Sequence, residues 1–503
     1  MQQAIIPEHS GNTDRKQYSE QTLLQFTKAL DAAGIEYCCW SSMDYPFHGT
    51  KNTNFFDVLI KSADRSDLHE CILNAGFKEI HFGNNKTTGR TLNYLGFNSD
   101  NGELFSFRLL FRLIVGVVAA KEIFIPIENL VFESTESNGH VKTCSAEIEF
   151  ILFVFSQALK YSSDLSVSRA KLQPSEQELK RIERLEAQVN TDVVDSIIRQ
   201  FSPSAANEEL LNHCLAFLKS EVSAQSRIQT YALLRKHLLH SNDHSSWLTH
   251  ARMLWQQVTG GLPWVPGKTK QHTLARGMMV AIVGSDGAGK STAITNLYEW
   301  ISGYCRTVCV HLGKPPHSIA TFFVHTFIRA GRLFDRMFHK QWFTGRIADT
   351  NVPLIVRYLL LVRLVLTARD RQKAYLGARK LADSGVFVIC DRFPLSQLKL
   401  MDGPRAEQLI KFEKQPGKIA EILINMEKKY YTGIQLPELL IVLRVDPEVA
   451  VQRRSDENIV LIRPRAQEVW DTDWRGTSAH VVDANQMIAE INSQLKALVW
   501  AAL

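Results

Sequence analysis

The stretch Gly284-Ser285-Asp286-Gly287-Ala288-Gly289-Lys290-Ser291-Thr292 fits G-x-x-x-x-G-K-[ST], a pattern whose chemistry is phosphate binding. Ahead of it, Val280-Ala281-Ile282-Val283 reads as a buried strand. Behind it, Ser291-Thr292-Ala293-Ile294-Thr295-Asn296-Leu297 reads as a helix. Glycines permit backbone conformations closed to other residues, so main-chain N–H groups can turn towards phosphate oxygens. The following helix adds the positive end of its dipole. In such a loop Lys290 reaches the β- and γ-phosphates of a nucleotide and the Ser291 hydroxyl ligates Mg²⁺. The expectation is a site for ATP or a close relative. A chance glycine-rich turn is the competing reading, and the strand-loop-helix register argues against it.

A chain of 503 residues exceeds what one hydrophobic core supports, so two or three domains are expected. Hydrophobic content of 45% and charged content of 22% are those of an ordinary globular protein. A net charge of +6 suits anionic substrates and argues only weakly for nucleic acid, which is not expected as a partner. The eight cysteines show no metal-type spacing and read as reduced thiols of a cytoplasmic protein. Neither a signal peptide nor a membrane span is legible. The most apolar segment, residues 352–366, is interrupted by Arg357 and Arg363 and reads as a core helix. A homodimer is compatible with the sequence.

Along the chain, residues up to Tyr18 read as a loose terminus. A small α/β unit follows over residues 19–145: a helix at 21–30, then apolar strand-like runs at 35–40, 55–60 and within 104–115. Residues 146–259 read as predominantly helical, with the charges at 176–186 on a solvated face. His237, His240, His244 and His250 lack companion ligands at a metal-binding spacing and read as surface histidines. Residues 260–274, rich in glycine and proline, read as a linker. From 275 to 503 strands and helices alternate, with strands at 279–283, 307–312, 386–390 and 439–445. That order is the mark of an α/β doubly wound parallel sheet.

Further segments join the phosphate loop. Val386-Phe387-Val388-Ile389-Cys390 runs into Asp391-Arg392, placing both charges where ligands of open α/β sheets gather. There Asp391 can hold the metal or its water, and Arg392 an acceptor anion. Leu439-Leu440-Ile441-Val442-Leu443-Arg444-Val445 leads to Asp446-Pro447, a good helix start. The helix carries Arg453 and Arg454 towards Arg463 and Arg465, arginines suited to a lid that neutralises charge on a transferred phosphoryl group. Each of them alone also fits a solvated basic loop. Val481-Val482-Asp483-Ala484-Asn485-Gln486 is a last strand and turn that could border an adenine.

Over roughly residues 275–503 these features resemble the thymidylate kinase family of P-loop kinases. The likeness rests on G-x-D-G-x-G-K-S-T (Gly284 to Thr292), on Asp391-Arg392-Phe393, and on the strand-Asp-Pro-Glu-x-Ala-x-x-Arg-Arg run ending at Arg454. The resemblance implies that Asp286 faces the acceptor, Arg392 its phosphate, and the lid arginines the transferred group. The chain departs from the family where an Arg-Glu-Pro-Gly-Gly-Thr turn is usual, having His311-Leu312-Gly313-Lys314-Pro315-Pro316. It lacks the Ser-x-x-Ala-Tyr-Gln segment, carrying Pro394-Leu395-Ser396-Gln397 and then Met401-Asp402-Gly403-Pro404-Arg405. An acceptor other than dTMP fits these changes, with Lys314, Arg379 and Arg405 as candidate anion binders. The amino-terminal unit is similar to nucleotidyltransferase-like domains, but Phe55 stands where the first metal-binding carboxylate belongs and Asp57 is left alone. One carboxylate cannot organise two Mg²⁺ ions, so the unit is expected to be inactive.

The leading expectation is ATP- and Mg²⁺-dependent phosphoryl transfer to a small acceptor, a nucleoside monophosphate such as dTMP or a related phosphorylated or hydroxylated metabolite, with an anionic acceptor favoured. The alternative is an ATP-binding regulatory or docking protein without small-molecule kinase activity.

Overall fold

A computed structural model describes residues 11–39, 54–61, 65–82, 91–118, 121–124, 127–138, 141–163, 173–201, 207–220, 223–238, 272–337, 353–407, 417–454 and 459–503. The chain divides into two units, Met1–Gln271 and His272–Leu503, each with its own buried cluster.

In the first unit, helix α1 (Gly11–Ala32) presents Leu23, Phe26 and Leu30 to a sheet. Phe26 stacks on Phe107 at 4.2 Å and meets Phe77 edge-on at 5.0 Å. The strands are β1 (Tyr37–Cys39), β2 (Asn54–Ile60), β3 (Lys78–Phe82), β4 (Thr91–Phe97), β5 (Leu104–Leu110), β6 (Ile114–Val118), β7 (Lys121–Phe124), β8 (Glu136–Asn138) and β9 (Val141–Thr143). Helices α2 (Arg65–Asn74) and α3 (Glu128–Glu133) fall between them. Within the unit the sheet runs β3-β4-β5-β2-β1-β9-β8, with β6 and β7 forming a separate hairpin. Pairs β2/β5 and β1/β9 are parallel and the rest antiparallel, so the sheet is mixed. The helical backbone from Gly11 corrects the expectation of a loose terminus up to Tyr18.

Asp57 and Arg108 face each other across β2 and β5. Arg108 donates from Nε to Oδ1 at 2.6 Å and from Nη2 to Oδ2 at 2.5 Å, a bidentate pair over a buried carboxylate. Asp57, the acidic residue singled out in the sequence, is therefore already paired.

The helices that follow are α4 (Ala146–Ser163), α5 (Glu176–Glu186), α6 (Thr191–Phe201), α7 (Asn207–Lys219) and α8 (Ala224–Leu238). Ser175 and Glu178 cap the start of α5 reciprocally. Its charges are not all solvated, as the sequence led one to expect. Arg181 is buried, pairs with Glu149 at 2.6 Å and lies over the Phe153 ring. The side chains of His237, His240, His244 and His250, and residues 260–271 of the expected linker, lie outside the described residues. His272–Leu274 forms β10.

In the second unit the core strands are β11 (Met278–Gly284), β12 (Thr307–His311), β13 (Phe387–Asp391), β14 (Leu439–Arg444) and β15 (Ala479–Asp483). They form a five-stranded sheet in the order β12-β13-β11-β14-β15, parallel throughout. Continuous apolar runs such as Leu439–Arg444 give strands buried on both faces, as a parallel sheet requires. The helices are α9 (Lys290–Ser302), α10 (Ile319–Met337), α11 (Leu354–Asp383), α12 (Lys418–Thr432), α13 (Pro447–Arg453), α14 (Ile459–Asp471) and α15 (Ile488–Ala502). The chain steps from β11 outwards to β12 and then back past β11, so right-handed crossovers put the helices on both faces. Residues Tyr375, Ala378 and Ala382 of α11 pack on alternate residues of β11 and β13, while α9 packs with α15. This is the doubly wound α/β sheet expected from the alternation of elements. Its direction reverses at β11, and the crevice beyond the carboxyl ends of β11 and β13 is the topological switch point. Among the described residues no helix is long and apolar enough to cross a membrane, and none of the eight cysteines is in a disulfide.

Arg108→Met would strand the Asp57 carboxylate in the core. A loss of about 3 kcal/mol of stability is expected in urea denaturation of the full chain, with most of it recovered in Asp57→Leu/Arg108→Met.

Candidate functional site

The phosphate-type loop leaves β11 at Gly284 and enters α9 at Lys290. Gly287 and Gly289 have φ of 87° and 83°, values that other residues adopt only with strain. Gly287 is doubly constrained, because a Cβ there would lie 2.6 Å from the Ala450 carbonyl oxygen of α13. Ala288 N–H donates to Ser285 O at 3.2 Å and closes the turn. Buried Ser285 has no hydrogen-bond partner for its hydroxyl among the described residues.

Lys290 is only 8% exposed. Its ammonium donates to Ser285 O at 2.6 Å, folding back onto its own loop. Burial first, and then the Arg392 charge, push its pKa down, while Asp286, Asp391 and Asp402 pull the other way; the outcome is about 8. A buried ammonium with no carboxylate in hydrogen-bond contact among the described residues, beside a glycine-rich loop and at the start of a helix, suits an anion.

Asp286 organises the cations around it. Its Oδ1 lies 2.5 Å from Arg392 Nη2, and its Oδ2 2.8 Å from Arg465 Nη1. Burial opposes ionisation here, but Arg392, Lys290 and Arg465 together hold the carboxyl below the ordinary aspartate range. Arg392 also approaches Asp402 at 3.5 Å. Its φ is 65°, the left-handed region for a residue with a side chain. Its N–H donates to Ile282 O at 3.0 Å, and Gly313 leaves the room its stem occupies, since a Cβ there would sit 2.3 Å from Arg392 Cδ. Backbone strain held in this way gathers at functional sites.

Asp391 ends β13, opposite Ile282 of β11 and His311 of β12. Its carboxylate is 27% exposed, with His311 Nδ1 at 3.6 Å. Ser291, in the first turn of α9, is exposed. Both are hard oxygen donors at the same edge of the sheet and suit Mg²⁺, which takes one or two protein oxygens and leaves the rest to water and phosphate.

The arginines of the expected lid divide. Arg465, on α14 just past Pro464, reaches Asp286. Arg453 instead donates to Ala484 O at 3.0 Å and lies 3.5 Å from Gly287 O, bracing the back of the loop. Arg463 pairs with Glu448 at 2.6 Å, both side chains more than half exposed, a contact worth little. Arg454 is exposed at the end of α13.

Among the expected acceptor residues, Lys314 is exposed on the turn leaving β12. Arg405 hydrogen-bonds the Leu400 and Met401 carbonyls, and burial together with the neighbouring Arg465 and Arg371 lowers its pKa against the pull of Asp402. Arg379 is corrected: it pairs with Glu438, whose other oxygen accepts from Met279 N at 3.0 Å. Those contacts lie at the amino-terminal edge of the sheet, opposite the loop. Sequence reasoning missed Arg371. It is buried, donates to Leu312 O (2.7 Å), Gly313 O (3.0 Å) and Asp402 O (2.5 Å), and meets the Tyr431 hydroxyl. It thereby fastens the turn after β12 to the Asp402 segment. An arginine within the long, charge-rich α11 carries no local signature of such a role.

No family model matches the chain. It is similar to the uncharacterized ATP-binding protein YghR of Escherichia coli (strain K12), 26% identical over 228 residues, covering 44% of this chain and 86% of that protein. A second protein of that strain, the uncharacterized ATP-binding protein YghS, is 27% identical over 237 residues, 45% of this chain and 93% of its own length. Among solved structures, the deoxyadenosine kinase from M. mycoides with bound dATP matches 44% of this chain and 99% of its own at 14% identity and a TM-score of 0.28. The thymidylate kinase from Candida albicans matches 45% and 92%, at 16% identity and a TM-score of 0.28.

The Lys290 pKa of about 8 sets a pH dependence. An anion binds the protonated form better, so affinity is full below about pH 8 and falls as pH rises through it towards the ordinary lysine range. Calorimetric titration with tripolyphosphate across that window is expected to show the fall, and Lys290→Met to bind more weakly with no such step.

Proposed function

We propose that the second unit binds ATP with Mg²⁺ and transfers its γ-phosphoryl group to a small anionic acceptor. The observation that carries this reading is the meeting of Lys290, Asp286, Arg392 and Arg465 at the carboxyl edge of a parallel sheet. The name given to the relatives YghR and YghS supports the nucleotide half of it. A glycine-rich turn formed by chance would have no reason to gather these groups.

In this reading the main-chain N–H groups of residues 285–290 and the positive end of α9 cradle the phosphates. Lys290 gives up Ser285 O and turns its ammonium to the phosphate oxygens. Ser291 and Asp391 would hold Mg²⁺, whose chemistry there would be to neutralise phosphate charge. Arg392 grips the acceptor's anionic group with its planar fork, and Arg465 moves off Asp286 towards the oxygens that gain charge in transfer. Asp286, relieved of one arginine, is free to accept a hydrogen bond from the acceptor. Lys314 and Arg405 border the acceptor side, and the segment from Val481 to Gln486 borders the base. Arg371 acts through the segments it fastens rather than on the acceptor.

The first unit is proposed as a non-catalytic docking module, residues 19–145, joined to the helical region 146–259. The Asp57–Arg108 pair supports this, because the carboxylate's charge is already matched by a guanidinium and one carboxylate cannot organise two metal ions.

The test is ADP release against a panel of nucleoside monophosphates, sugar phosphates and polyols, with the product weighed by mass spectrometry. An acceptor-dependent product is expected, falling by about 100-fold or more in Lys290→Ala. Arg392→Lys should raise the acceptor KM more than it changes ATP affinity, since a point charge replaces a bidentate fork. Slow hydrolysis indifferent to every acceptor would instead favour an ATP-binding regulatory protein.

A further inference from the structure

Helix α10 buries only one side. Thr321, Ile328 and Asp335 are buried, with Ile328 packing on Val356 and Leu360 of α11. The two helices run antiparallel: Asp370 of α11 accepts from Ser318 N at 2.9 Å and Thr321 Oγ1 at 2.5 Å at one end, while Ile328 meets Val356 further along. Met337 and the start of α11 therefore share an end of the hairpin.

The opposite side of α10 is an apolar stripe open to solvent. Ile319 (78% exposed), Phe322, Phe323 (66%), Phe327, Leu333 and Met337 (70%) recur at helical spacing along it. Leu354 and Ile355 (79%) extend it onto the first turn of α11. Single exposed apolar residues need no explanation, but an apolar stripe over about five helical turns, with three phenylalanines in it, marks a surface that is covered in use.

The charge beside the stripe identifies the cover. Over Ile319–Met337 and the first turns of α11 to Arg363 stand Arg329, Arg332, Arg336, Arg357 and Arg363, against the buried Asp335 alone. Positions 329, 332 and 336 fall on one flank of the helix next to the stripe, and Arg329 and Arg332 are exposed. A second copy docked antiparallel about a two-fold axis on the same stripe would set these cations against their own images. A surface that is apolar beneath and anionic above suits both features.

We propose that α10 and the first turn of α11 lie on an anionic phospholipid surface, with the phenylalanine rings at the acyl boundary and the flanking arginines among the lipid phosphates. The assignment stands apart from the kinase reading, since none of these residues belongs to the phosphate loop or its ion pairs.

Flotation of the full chain with vesicles tests it, using phosphatidylcholine alone and phosphatidylcholine mixed with phosphatidylglycerol. The wild type is expected to float with the mixed vesicles only, and less as salt is raised. Phe322→Ser/Phe323→Ser should abolish flotation, and Arg329→Ser/Arg332→Ser should weaken it about fivefold per arginine, with unchanged circular dichroism and tripolyphosphate binding. Ile355→Ser, on the other helix, repeats the test should the double phenylalanine variant misfold. Absence of wild-type flotation with anionic vesicles, or undiminished flotation of the variants, would overturn the proposal. So would light scattering that shows a wild-type dimer split by Phe322→Ser/Phe323→Ser, because a second copy would then be the cover.

Discussion

The Asp286 carboxylate holds the second unit's chemistry together. It sits in the phosphate-type loop, yet it draws in Arg392 from the end of β13 and Arg465 from α14. Without it, three cations, Lys290, Arg392 and Arg465, would face one another in a half-buried crevice at several kcal/mol of repulsion. The same pairing also leaves the arginines on a partner they can exchange for phosphate oxygen. In the function proposed, such a counter-ion is needed, close enough to hold the cations and exposed enough to give them up to a polyanion.

Around that carboxylate the constraints run outwards in layers. Gly313 yields space to the Arg392 stem, Arg371 ties the Gly313 turn to the Asp402 segment, and Asp402 returns charge to Arg392. Behind the loop, α13 approaches Gly287 so closely that no side chain fits there, and Arg453 bridges the Gly287 and Ala484 carbonyls. The loop is thus pinned on the side that faces α13. The first unit uses its comparable charge pair differently: Asp57 and Arg108 link two neighbouring strands through a bidentate contact.

The α10–α11 hairpin follows another logic. Its inner side is held by Ile328, Val356 and Leu360 and by the Asp370 hydrogen bonds. Its outer side carries more apolar surface than a solvated helix retains. Residues 352–366 looked like a core helix in the sequence, and that holds for Val356, Leu360, Leu361 and Val365, which are buried. It fails for Leu354 and Ile355, which are exposed in the first turn of the helix.

By itself the sequence determined the parallel sheet of the second unit, its phosphate-type loop and the placing of Asp391 and Arg392 at a strand end. These are local: apolar runs, glycines and an N-cap with proline act within a few residues of themselves. It also showed that Asp57 lacked companion carboxylates. Only the tertiary structure decided which arginines serve the site, since Arg465 reaches Asp286 across 179 residues while Arg379, equally plausible as a string of letters, pairs at the far edge of the sheet. Arg371 and Asp402 became visible for the same reason. A guanidinium is long and adaptable, and where it ends is set by the carboxylates and carbonyls that folding brings near it, not by the residues beside it in the chain.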